Sequence, residues 1–267
     1  MITSLQNDKV RYVRALQSRR RVRRRERRLV LEGVRLVEEA VRAGVRPDFV
    51  FYTARTVADA RGSRLLASLR EMDTTCYAVS EPVMAACSDT ETPQGILAVI
   101  PIATLRRPKH PTFTLVLDQV RDPGNLGTIL RTALAAGVEQ VLLTPGTADA
   151  SNPKVVRAAM GAHLHLPVAA LGWEAITEAV TGCDVWLAEA GGDTRYTAVD
   201  WTRPVVLIVG GEATGAGKRA RALARGRVSI PMAAEVESLN TAVATAVILF
   251  EVVRQRAAQM EKAPSAT

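Results

Sequence analysis

The feature that most constrains the fold is one stretch in which an apolar run ends in a glycine-containing turn and then a helix. Residues 113–120, FTLVLDQV, run directly into RDPGNLGTILR at 121–131. Pro123 fixes one φ angle, the two glycines permit close backbone approaches, and Asn125 is a candidate cap for a helix that begins at the next residue. Arg131 is expected on the second turn of that helix. A crevice at the carboxyl ends of parallel strands usually holds ligands in α/β proteins; the alternative is an ordinary connection with a surface arginine.

Two later segments repeat this design. Residues 204–215, PVVLIVGGEATG, read as a buried parallel strand followed by glycines and an acid before another helix. Residues 227–240, RVSIPMAAEVESLN, lead into TAVATAVILFEVVRQR, for which Ser238 is a candidate N-cap. The small and apolar residues of that last helix predict close packing against another helix, and we expect residues 240–256 to help form a dimer interface. Neither a Walker loop nor a GxGxxG fingerprint is present, which excludes the most familiar nucleotide-binding motifs.

In this order, the three segments closely resemble the three motifs of the SpoU/TrmH family of RNA ribose 2′-O-methyltransferases, in the SPOUT superfamily. The resemblance spans about residues 113–257, and the intervening NPKVVRAAMGAHLHLPV also fits the family pattern. It implies an α/β fold with a C-terminal parallel-sheet domain, a deep trefoil knot, a homodimer, and S-adenosylmethionine bound in a bent conformation in the knot. The knot is implied by the resemblance alone, since general topology rules disfavour it.

The resemblance also implies roles for individual residues. The predicted catalytic set is Arg131, Asn125, Glu212, Ser238 and Asn240. The residues expected to bind S-adenosylmethionine are Gly210, Ile230 and Leu239, with Leu187, Ala188, Glu189, Gly211 and Met232 lining the pocket. The alternative for the apolar members of this second set is that they are ordinary core residues.

Methyl transfer to a ribose hydroxyl needs alignment of donor and acceptor and removal of a proton. Because guanidinium is effectively never deprotonated, we expect Arg131 to act electrostatically, by holding a neighbouring phosphate and stabilising the developing alkoxide. Asn125, Ser238 or a phosphate oxygen would then receive the proton. Glu212 is expected to orient Arg131 or Asn125, or to cap a helix, and these alternatives remain open.

Positive charge is concentrated at the N-terminus. Residues 1–28 contain eleven Lys/Arg against two acidic residues, so the other 24 basic and 25 acidic residues nearly cancel and the whole +8 excess lies in this segment. Such a block is expected to contact phosphates, with release of condensed counterions; the alternative is a solvated, partly disordered tail. The predicted RNA-binding residues are Arg19, Arg20, Arg21, Arg23, Arg24 and Arg25.

The remaining sequence predicts two domains. We expect a basic segment at 1–28, a small α/β substrate-binding domain for RNA at 29–102, a linker at 103–111, and the SPOUT methyltransferase domain at 112–267. The opening of the second region, RRRERRLVLEGVRLVEEAV, resembles the domain that precedes the catalytic domain in many family members acting on ribosomal RNA.

Two pairs of residues suggest a metal but have simpler explanations. His163 and His165 would share one face of a strand, yet no Cys or third His lies near them in sequence. Asp118 and Asp122 resemble a carboxylate pair for Mg²⁺ or acid–base work, although turn formation and capping explain them equally well. We therefore expect no metal to be required.

Cysteine usage and the apolar runs indicate the compartment. Cys76, Cys87 and Cys183 are scattered and odd in number, which favours reduced thiols. No apolar run is long enough for a membrane span, and no secretory signal follows the basic N-terminus. These features predict a cytoplasmic protein with no membrane partner.

The favoured function is S-adenosylmethionine-dependent methylation of a ribose 2′-hydroxyl in RNA, with 23S ribosomal RNA as the favoured substrate. A tRNA substrate is the first alternative, although family members acting on tRNA commonly lack a separate N-terminal domain. The second alternative is a non-catalytic, dimeric RNA-binding protein, which the intact set of predicted catalytic residues disfavours.

Overall fold

The computed structural model describes residues 1–212, 215–233 and 238–262. Residues 213–214 of the second motif, residues 234–237 of the third and the C-terminal 263–267 therefore lie outside the described residues. The chain forms two compact units, Met1–Thr104 with Asp149–His165, and Leu105–Ala148 with Leu166–Thr267.

The first unit is a small α/β domain. Its elements up to residue 104 are α1 (Asp8–Ser18), α2 (Arg20–Glu26), β1 (Arg28–Glu32), α3 (Val34–Arg42), β2 (Phe49–Tyr52), α4 (Ala54–Ala58), α5 (Ala60–Glu71), β3 (Thr75–Ala78), α6 (Glu81–Cys87) and β4 (Ile96–Pro101). The strands form a sheet in the order β1-β4-β2-β3, in which only β2 and β3 are parallel. The predicted small N-terminal α/β domain is thus confirmed.

The second unit contains a fully parallel sheet. Along the chain follow β5 (Phe113–Asp118), α7 (Pro123–Ala135), β6 (Gln140–Leu143), α8 (Pro153–Ala159, in the first unit), β7 (Val168–Ala170), α9 (Trp173–Ala179), β8 (Asp184–Ala188), β9 (Thr194–Arg195), β10 (Val205–Gly210), α10 (Lys218–Leu223), β11 (Gly226–Ser229) and α11 (Thr241–Lys262). Its seven strands have the order β7-β6-β5-β10-β8-β11-β9, and every pair is parallel. The predicted C-terminal parallel-sheet domain is confirmed, and the trefoil knot remains a prediction.

The basic segment 1–28 was predicted to be distinct from the domain at 29–102, but in the structure it is part of that domain. It folds into α1 and α2, and Val10, Val13 and Leu16 are at most 1% exposed. These side chains share one hydrophobic cluster with residues of the β2 strand and α6, including Phe51. Because helical spacing places the three apolar residues on one side of α1, the segment is an integral part of the first unit.

The segment Asp149–His165 also departs from the predicted boundaries, since it belongs to the first unit. Val156 and Leu164 are buried in a hydrophobic cluster with side chains of α3 and β1. The two histidines do not share a strand face, because Ala162–Leu164 is a short 3₁₀ helix. The histidines have different partners: His163 Nε2 lies 2.7 Å from the carbonyl oxygen of Ala150, and His165 Nε2 lies 2.9 Å from a Glu39 carboxylate oxygen.

Two further observations concern the described part of the chain. None of its helices combines the length and hydropathy needed to cross a membrane. The three cysteines are free thiols, and burial raises the pKa of Cys87 to about 11.

Candidate active site

The parallel sheet of the second unit brings the first two motifs together. In the register of β10, Gly210 pairs with Asp118 at the end of β5, while Val209 pairs with Ala188 at the end of β8. Because all three strands run in the same direction, their carboxyl ends form one edge, where the loops that follow them meet. We call this the sheet-edge site.

Asp118 holds the two loops of this edge in place. Its side chain is buried at 1% exposure; Oδ1 accepts a hydrogen bond from the Thr144 hydroxyl at 2.8 Å, and Oδ2 accepts one from the Gly217 amide at 2.7 Å. The Gly211 amide also donates to the Asp118 carbonyl oxygen at 2.9 Å. With both carboxylate oxygens engaged by the protein, Asp118 has a structural role here.

The glycines at 210 and 211 are needed because the backbone packs against itself. A Cβ at Gly211 would lie 2.1 Å from the carbonyl oxygen of Gln119, and a Cβ at Gly210 would lie 2.4 Å from the amide of Ala216. Gln119 itself has a φ of 58°, a left-handed conformation that non-glycine residues rarely adopt. Its amide donates to the Thr144 and Thr147 hydroxyls, which helps to stabilise this strained turn.

The start of α7 differs from the predicted capping arrangement. Pro123 is the first helical residue, and the side chain of Asp122 accepts a hydrogen bond from the Asn125 amide at 2.7 Å. Asp122, and not Asn125, is therefore the N-cap, in agreement with the capping explanation considered for it. This leaves the side-chain amide of Asn125 free for other contacts.

Asn125 connects the second and third motifs through its side chain. Its Nδ2 donates to a Glu212 carboxylate oxygen at 2.6 Å, and its Oδ1 accepts a hydrogen bond from Asn240 Nδ2 at 3.1 Å. A carboxylate only accepts hydrogen bonds, so it fixes which end of the Asn125 amide faces Glu212. Three predicted residues from distant parts of the sequence are thus joined in one hydrogen-bonded chain.

Asn240 also starts the last helix. Its Oδ1 accepts hydrogen bonds from the amides of Ala242, at 2.9 Å, and Val243, at 3.3 Å. The predicted cap, Ser238, is wrong, because α11 begins at Thr241 and Ser238 lies before the capping position with its side chain exposed. Asn240 therefore has two functions: it begins α11 and fixes the position of Asn125.

Arg131 lies on the exposed side of α7. It is the ninth residue of the helix and belongs to the third turn, one turn later than predicted, because the helix begins at Pro123. Within the described residues its guanidinium has no hydrogen-bond or ion-pair partner, and its side chain is exposed. An unpaired guanidinium keeps all five donors available to a ligand.

The predicted cofactor residues divide into buried and accessible groups. Leu187 is fully buried in a hydrophobic cluster, so its side chain belongs to the core, and Gly211 is buried in the close backbone contact described above. Half-buried residues are Ala188, Gly210, Ile230 and Leu239, and Met232 is exposed. Leu187 and Ala188 are the last two residues of β8, and Gly210 is the last residue of β10, followed by Gly211. Ile230 and Met232 follow β11, and Leu239 lies two residues before α11.

Glu189 has partners that the sequence did not indicate. Its carboxylate accepts a hydrogen bond from Arg221 Nε at 3.1 Å, and a second oxygen lies 3.6 Å from the guanidinium of Arg227. Arg227 also pairs with Asp193 at 2.7 Å, and these contacts raise the pKa of Arg227 above its ordinary value. These ion pairs attach the loop after β8 to α10 and β11. No sequence signal distinguished these arginines from other surface arginines.

The arginines predicted to bind RNA are not equivalent. Five of them, Arg19, Arg20, Arg21, Arg24 and Arg25, are exposed, whereas Arg23 is only 4% exposed. The Arg23 guanidinium donates to Asp149 at 2.8 Å, to the Leu16 carbonyl oxygen at 2.8 Å and to the Ser151 hydroxyl at 3.3 Å. Because its donors are used within the first unit, Arg23 is corrected to a structural residue.

Asp149 responds electrostatically to this arrangement. Burial alone would raise the pKa of its carboxyl, but hydrogen bonds from Arg23 and Ser151 outweigh burial and hold the pKa below its ordinary value.

No group of three or more His, Cys, Asp or Glu side chains suited to a metal ion occurs in the described ranges.

Comparison with known proteins agrees with the geometry of both units. The family described as SpoU rRNA methylase matches residues 112–250, and the MRM3-like substrate-binding domain matches residues 7–98. The chain belongs to the SpoU rRNA methylase family. Its members are RNA methyltransferases, and the match covers the whole sheet-edge site.

Similar proteins resemble this family member over nearly its whole length. The 23S rRNA guanosine 2′-O-methyltransferase RlmP of Bacillus subtilis is 34% identical, over 93% of this chain and 97% of RlmP. The mitochondrial rRNA methyltransferase 3 of Mus musculus is 31% identical, over 90% of this chain and 70% of that protein. The crystal structure of the SpoU methyltransferase AviRb from Streptomyces viridochromogenes, in complex with S-adenosylmethionine, has a TM-score of 0.84 at 29% identity and covers 94% of this chain and 99% of AviRb.

Proposed function

We propose that this chain transfers a methyl group from S-adenosylmethionine to a ribose 2′-hydroxyl of RNA, and that the RNA is 23S ribosomal RNA. The observation that carries the proposal is the hydrogen-bonded chain from Glu212 through Asn125 to Asn240. These contacts join residues of all three motifs, and the helix that carries Asn125 also carries the exposed Arg131. The relatives of the protein include RlmP, a 23S rRNA 2′-O-methyltransferase. A protein that only binds RNA would not require this precise polar arrangement.

The sheet edge fits the adenosyl part of the methyl donor. Ala188 and Ile230 are half-buried and Met232 is exposed, so partly uncovered apolar surface lies at the ends of β8 and β11. Leu239, just before α11, is also half-buried. Such surface with a few polar backbone groups is typical of cofactor sites. S-adenosylmethionine, when bound, supplies an electrophilic methyl group on a positively charged sulfur. Leu187 and Gly211 would contribute through the backbone only.

Arg131 acts as an electrostatic catalytic residue in this proposal. Its free guanidinium holds the phosphate next to the reacting ribose and stabilises the negative charge that develops on the 2′-oxygen. A bidentate contact with phosphate also fixes the orientation of the ribose. Because the guanidinium stays protonated, another group takes the hydroxyl proton. Glu212 and Asn240 already engage both ends of the Asn125 side chain, which leaves Ser238 or a phosphate oxygen as the acceptor.

Glu212 acts as a positioning residue. It accepts a hydrogen bond from Asn125 at 2.6 Å. Of the three roles expected for Glu212, this contact favours orienting Asn125 over orienting Arg131 or capping a helix. With Nδ2 held by Glu212 and Oδ1 by Asn240, the Asn125 side chain is fixed from both ends. Such fixation lowers the cost of aligning the reacting groups.

The first unit supplies the RNA-binding surface. Five exposed arginines, Arg19, Arg20, Arg21, Arg24 and Arg25, lie on or beside α2, and the whole excess positive charge of the chain lies within residues 1–28. The match to a substrate-binding domain favours ribosomal RNA over tRNA as the substrate. We therefore place the protein in the cytoplasm, where ribosomal RNA is available.

The protein acts as a homodimer in this proposal. The helices α7 and α11 pack together in the second unit, and they leave Leu134, Val243 and Phe250 exposed, the last two at 50%. Large exposed apolar side chains on adjacent helices are typical of protein interfaces. Light scattering is expected to give the mass of a dimer at micromolar concentration, and a monomer at that concentration contradicts this part of the proposal.

Two measurements on the purified full chain test the activity. Isothermal titration is expected to show binding of S-adenosylmethionine, and the labelled methyl donor is expected to label ribosomal RNA more efficiently than tRNA. Binding of RNA without labelling, in the presence of bound donor, would support the non-catalytic alternative. Preferential labelling of tRNA would support the other alternative substrate.

A further inference from the structure

The first unit contains an open cavity that is separate from the sheet-edge site. Its volume is about 740 Å³, and it lies between α1 and the residues that follow α6. Small-molecule sites typically enclose about 300 to 1,000 Å³, so the cavity has room for one nucleotide. Its lining includes Arg11, Tyr12, Arg14 and Arg19 on one side and Asp89 on the other.

We propose that this cavity binds one nucleotide of single-stranded RNA, with Arg14 and Arg19 holding the phosphates. The inference rests on the proposed function only in taking RNA as the substrate. It assigns a site within the first unit, whereas the arginine-rich composition of residues 1–28 indicated only a charged surface.

The arginines of this cavity differ in their availability. Within the described residues, the side chains of Arg14 and Arg19 are exposed and have no hydrogen-bond or ion-pair partner. Arg11 has only a loose contact of 3.6 Å with Asp8, whose side chain is 97% exposed. By contrast, Arg23 uses its donors on Asp149 and on backbone oxygens. Free guanidinium groups form strong bidentate contacts with phosphate, so Arg14 and Arg19 are the groups available to RNA.

The opposite wall of the cavity is held in a fixed position. Glu32 is 7% exposed, and it accepts hydrogen bonds from the hydroxyls of Ser88 and Thr90, at 2.5 and 2.7 Å, and from the amide of Asp89 at 3.3 Å. Asp89 also accepts a hydrogen bond from Arg157 at 2.9 Å. A preformed wall lowers the entropic cost of binding.

The two walls are also tied to each other. Gln17 on α1 donates a hydrogen bond to the carbonyl oxygen of Cys87, at the end of α6, at 3.0 Å. The separation of the walls is therefore set by the protein before RNA binds.

The lining suits a base as well as a phosphate. Tyr12 lines the cavity and is half-buried, with its ring centroid 6.5 Å from that of Phe49. Stacking on aromatic rings is the usual way in which proteins hold single-stranded bases. Asp89 and Ser88 are hydrogen-bonding groups, and a carboxylate accepts from the exocyclic amino group of a base such as cytosine. Because the cavity is open and Arg19 connects α1 to α2, neighbouring phosphates reach the exposed arginines of α2.

The test compares two double variants that remove the same charge. Arg14→Ala/Arg19→Ala alters the cavity, whereas Arg64→Ala/Arg70→Ala removes two exposed arginines of α5 in the same unit. We measure the affinity of the full chain for a fluorescent single-stranded RNA 12-mer over a range of salt concentrations. The cavity variant is expected to lose about tenfold or more in affinity and to reduce the salt slope by roughly 1.4 for two phosphates, with little change in the control.

Equal losses and equal salt slopes in the two double variants would overturn the proposal, because charge alone would then explain binding. Photo-crosslinking with 4-thiouridine-containing RNA gives a second measurement. Crosslinks are expected in the peptides that contain residues 11–19 or 86–89, and crosslinks confined to α2 would also overturn it. Binding of S-adenosylmethionine and the melting temperature report the folding of each variant.

The failure of this proposal is distinguishable from that of the proposed function. Wild-type protein that binds RNA through the cavity but transfers no methyl group contradicts the activity alone. Wild-type protein that methylates RNA, with unchanged RNA affinity in the cavity variant, contradicts the cavity alone.

Discussion

Short stretches of sequence predict both the sheet-edge site and the arginine-rich helices. The two regions differ in how neighbours in the sequence are arranged in the structure. At the sheet edge, residues far apart in sequence come together, since Asn125 contacts both Glu212 and Asn240. In α2, adjacent residues differ in their burial, since Arg23 is buried and Arg24 is exposed. Motifs at strand ends are brought together by sheet topology, whereas a run of like charges does not indicate which members face solvent.

The largest effect is expected from removal of the Arg131 guanidinium, which has no partner within the described residues. Arg131→Ala is expected to retain S-adenosylmethionine binding and the fold but to lose methyl transfer by a factor on the order of 10² or more, because charge in the transition state loses its partner. Single-turnover rates at saturating RNA and donor provide the measurement. Near-normal rates would remove Arg131 from the mechanism.

Arg131→Lys sharpens that prediction. Lysine keeps the positive charge but lacks the planar two-pronged donor geometry. A largely inactive lysine variant indicates bidentate phosphate holding, whereas a largely active one indicates that charge alone is sufficient.

The next effect concerns stability in the first unit. Arg23→Ala leaves Asp149 without its main partner, and we expect a loss of about 2 kcal/mol in the free energy of unfolding, since hydrogen bonds to charged groups contribute roughly that much. The matched control, Arg21→Ala, removes an exposed arginine from the same helix and is expected to change stability by less than about 0.5 kcal/mol. Urea denaturation measures both, and equal effects would contradict the distinction between buried and exposed arginines.

A smaller catalytic effect is expected at the positioning residue. Glu212→Gln keeps the shape of the side chain but replaces a charged acceptor of the Asn125 amide. If poorer alignment of Asn125 raises the activation free energy by about 1.4 kcal/mol, the rate falls roughly tenfold. The affinity for S-adenosylmethionine is expected to stay unchanged. A normal kcat, or a defect confined to donor affinity, would show that Glu212 does not act through Asn125.

The smallest effect is the pH dependence of the first unit. The Nε2 of His163 donates to the Ala150 carbonyl oxygen, and its Nδ1 is shielded from solvent without a partner among the described residues. Burial lowers the pKa of His163 below its ordinary value of 6.5, against smaller opposing contributions from Ala150 and Asp149. The unfolded chain then binds more protons than the folded one at mildly acidic pH, so this contribution to stability is present above about pH 6.5 and decreases as the pH falls through that value.

A pair of variants isolates this contribution. His163→Gln is expected to flatten the dependence of the melting temperature on pH between 7.5 and 5.5, whereas His165→Gln, which changes a more exposed ring, serves as the comparison. The same slope in wild type and His163→Gln would contradict the prediction.

Much of the fold follows from local sequence patterns. The β-branched run of β10 and the apolar run of β5 predicted buried parallel strands because such strands are covered on both faces. The sequence shows glycines at the end of this strand but not their role, and the structure shows that Gly210 and Gly211 allow close packing against the backbone at Ala216 and Gln119. The three motifs meet at one edge because the strands that precede them are parallel and end there.

Other features were not predictable because they depend on where an element starts or on distant contacts. The cap of α7 is Asp122, three residues before the predicted Asn125, and the cap of α11 is Asn240, two residues after the predicted Ser238. Asp, Asn and Ser are all favourable caps, so the residue type does not choose among neighbouring candidates. The left-handed conformation of Gln119 has no local signal, since glutamine rarely adopts it. The burial of Arg23 depends on Asp149, more than a hundred residues away in the chain.

The chemical position of the transferred methyl group tests the central claim most directly. Ribosomal RNA is incubated with wild-type protein and methyl-labelled S-adenosylmethionine and is then hydrolysed completely in alkali. Alkaline cleavage of RNA requires a free 2′-hydroxyl. If the protein methylates the ribose 2′-oxygen, the label is expected in alkali-resistant dinucleotides. Label confined to mononucleotides would place the methyl group on a base and would contradict the account.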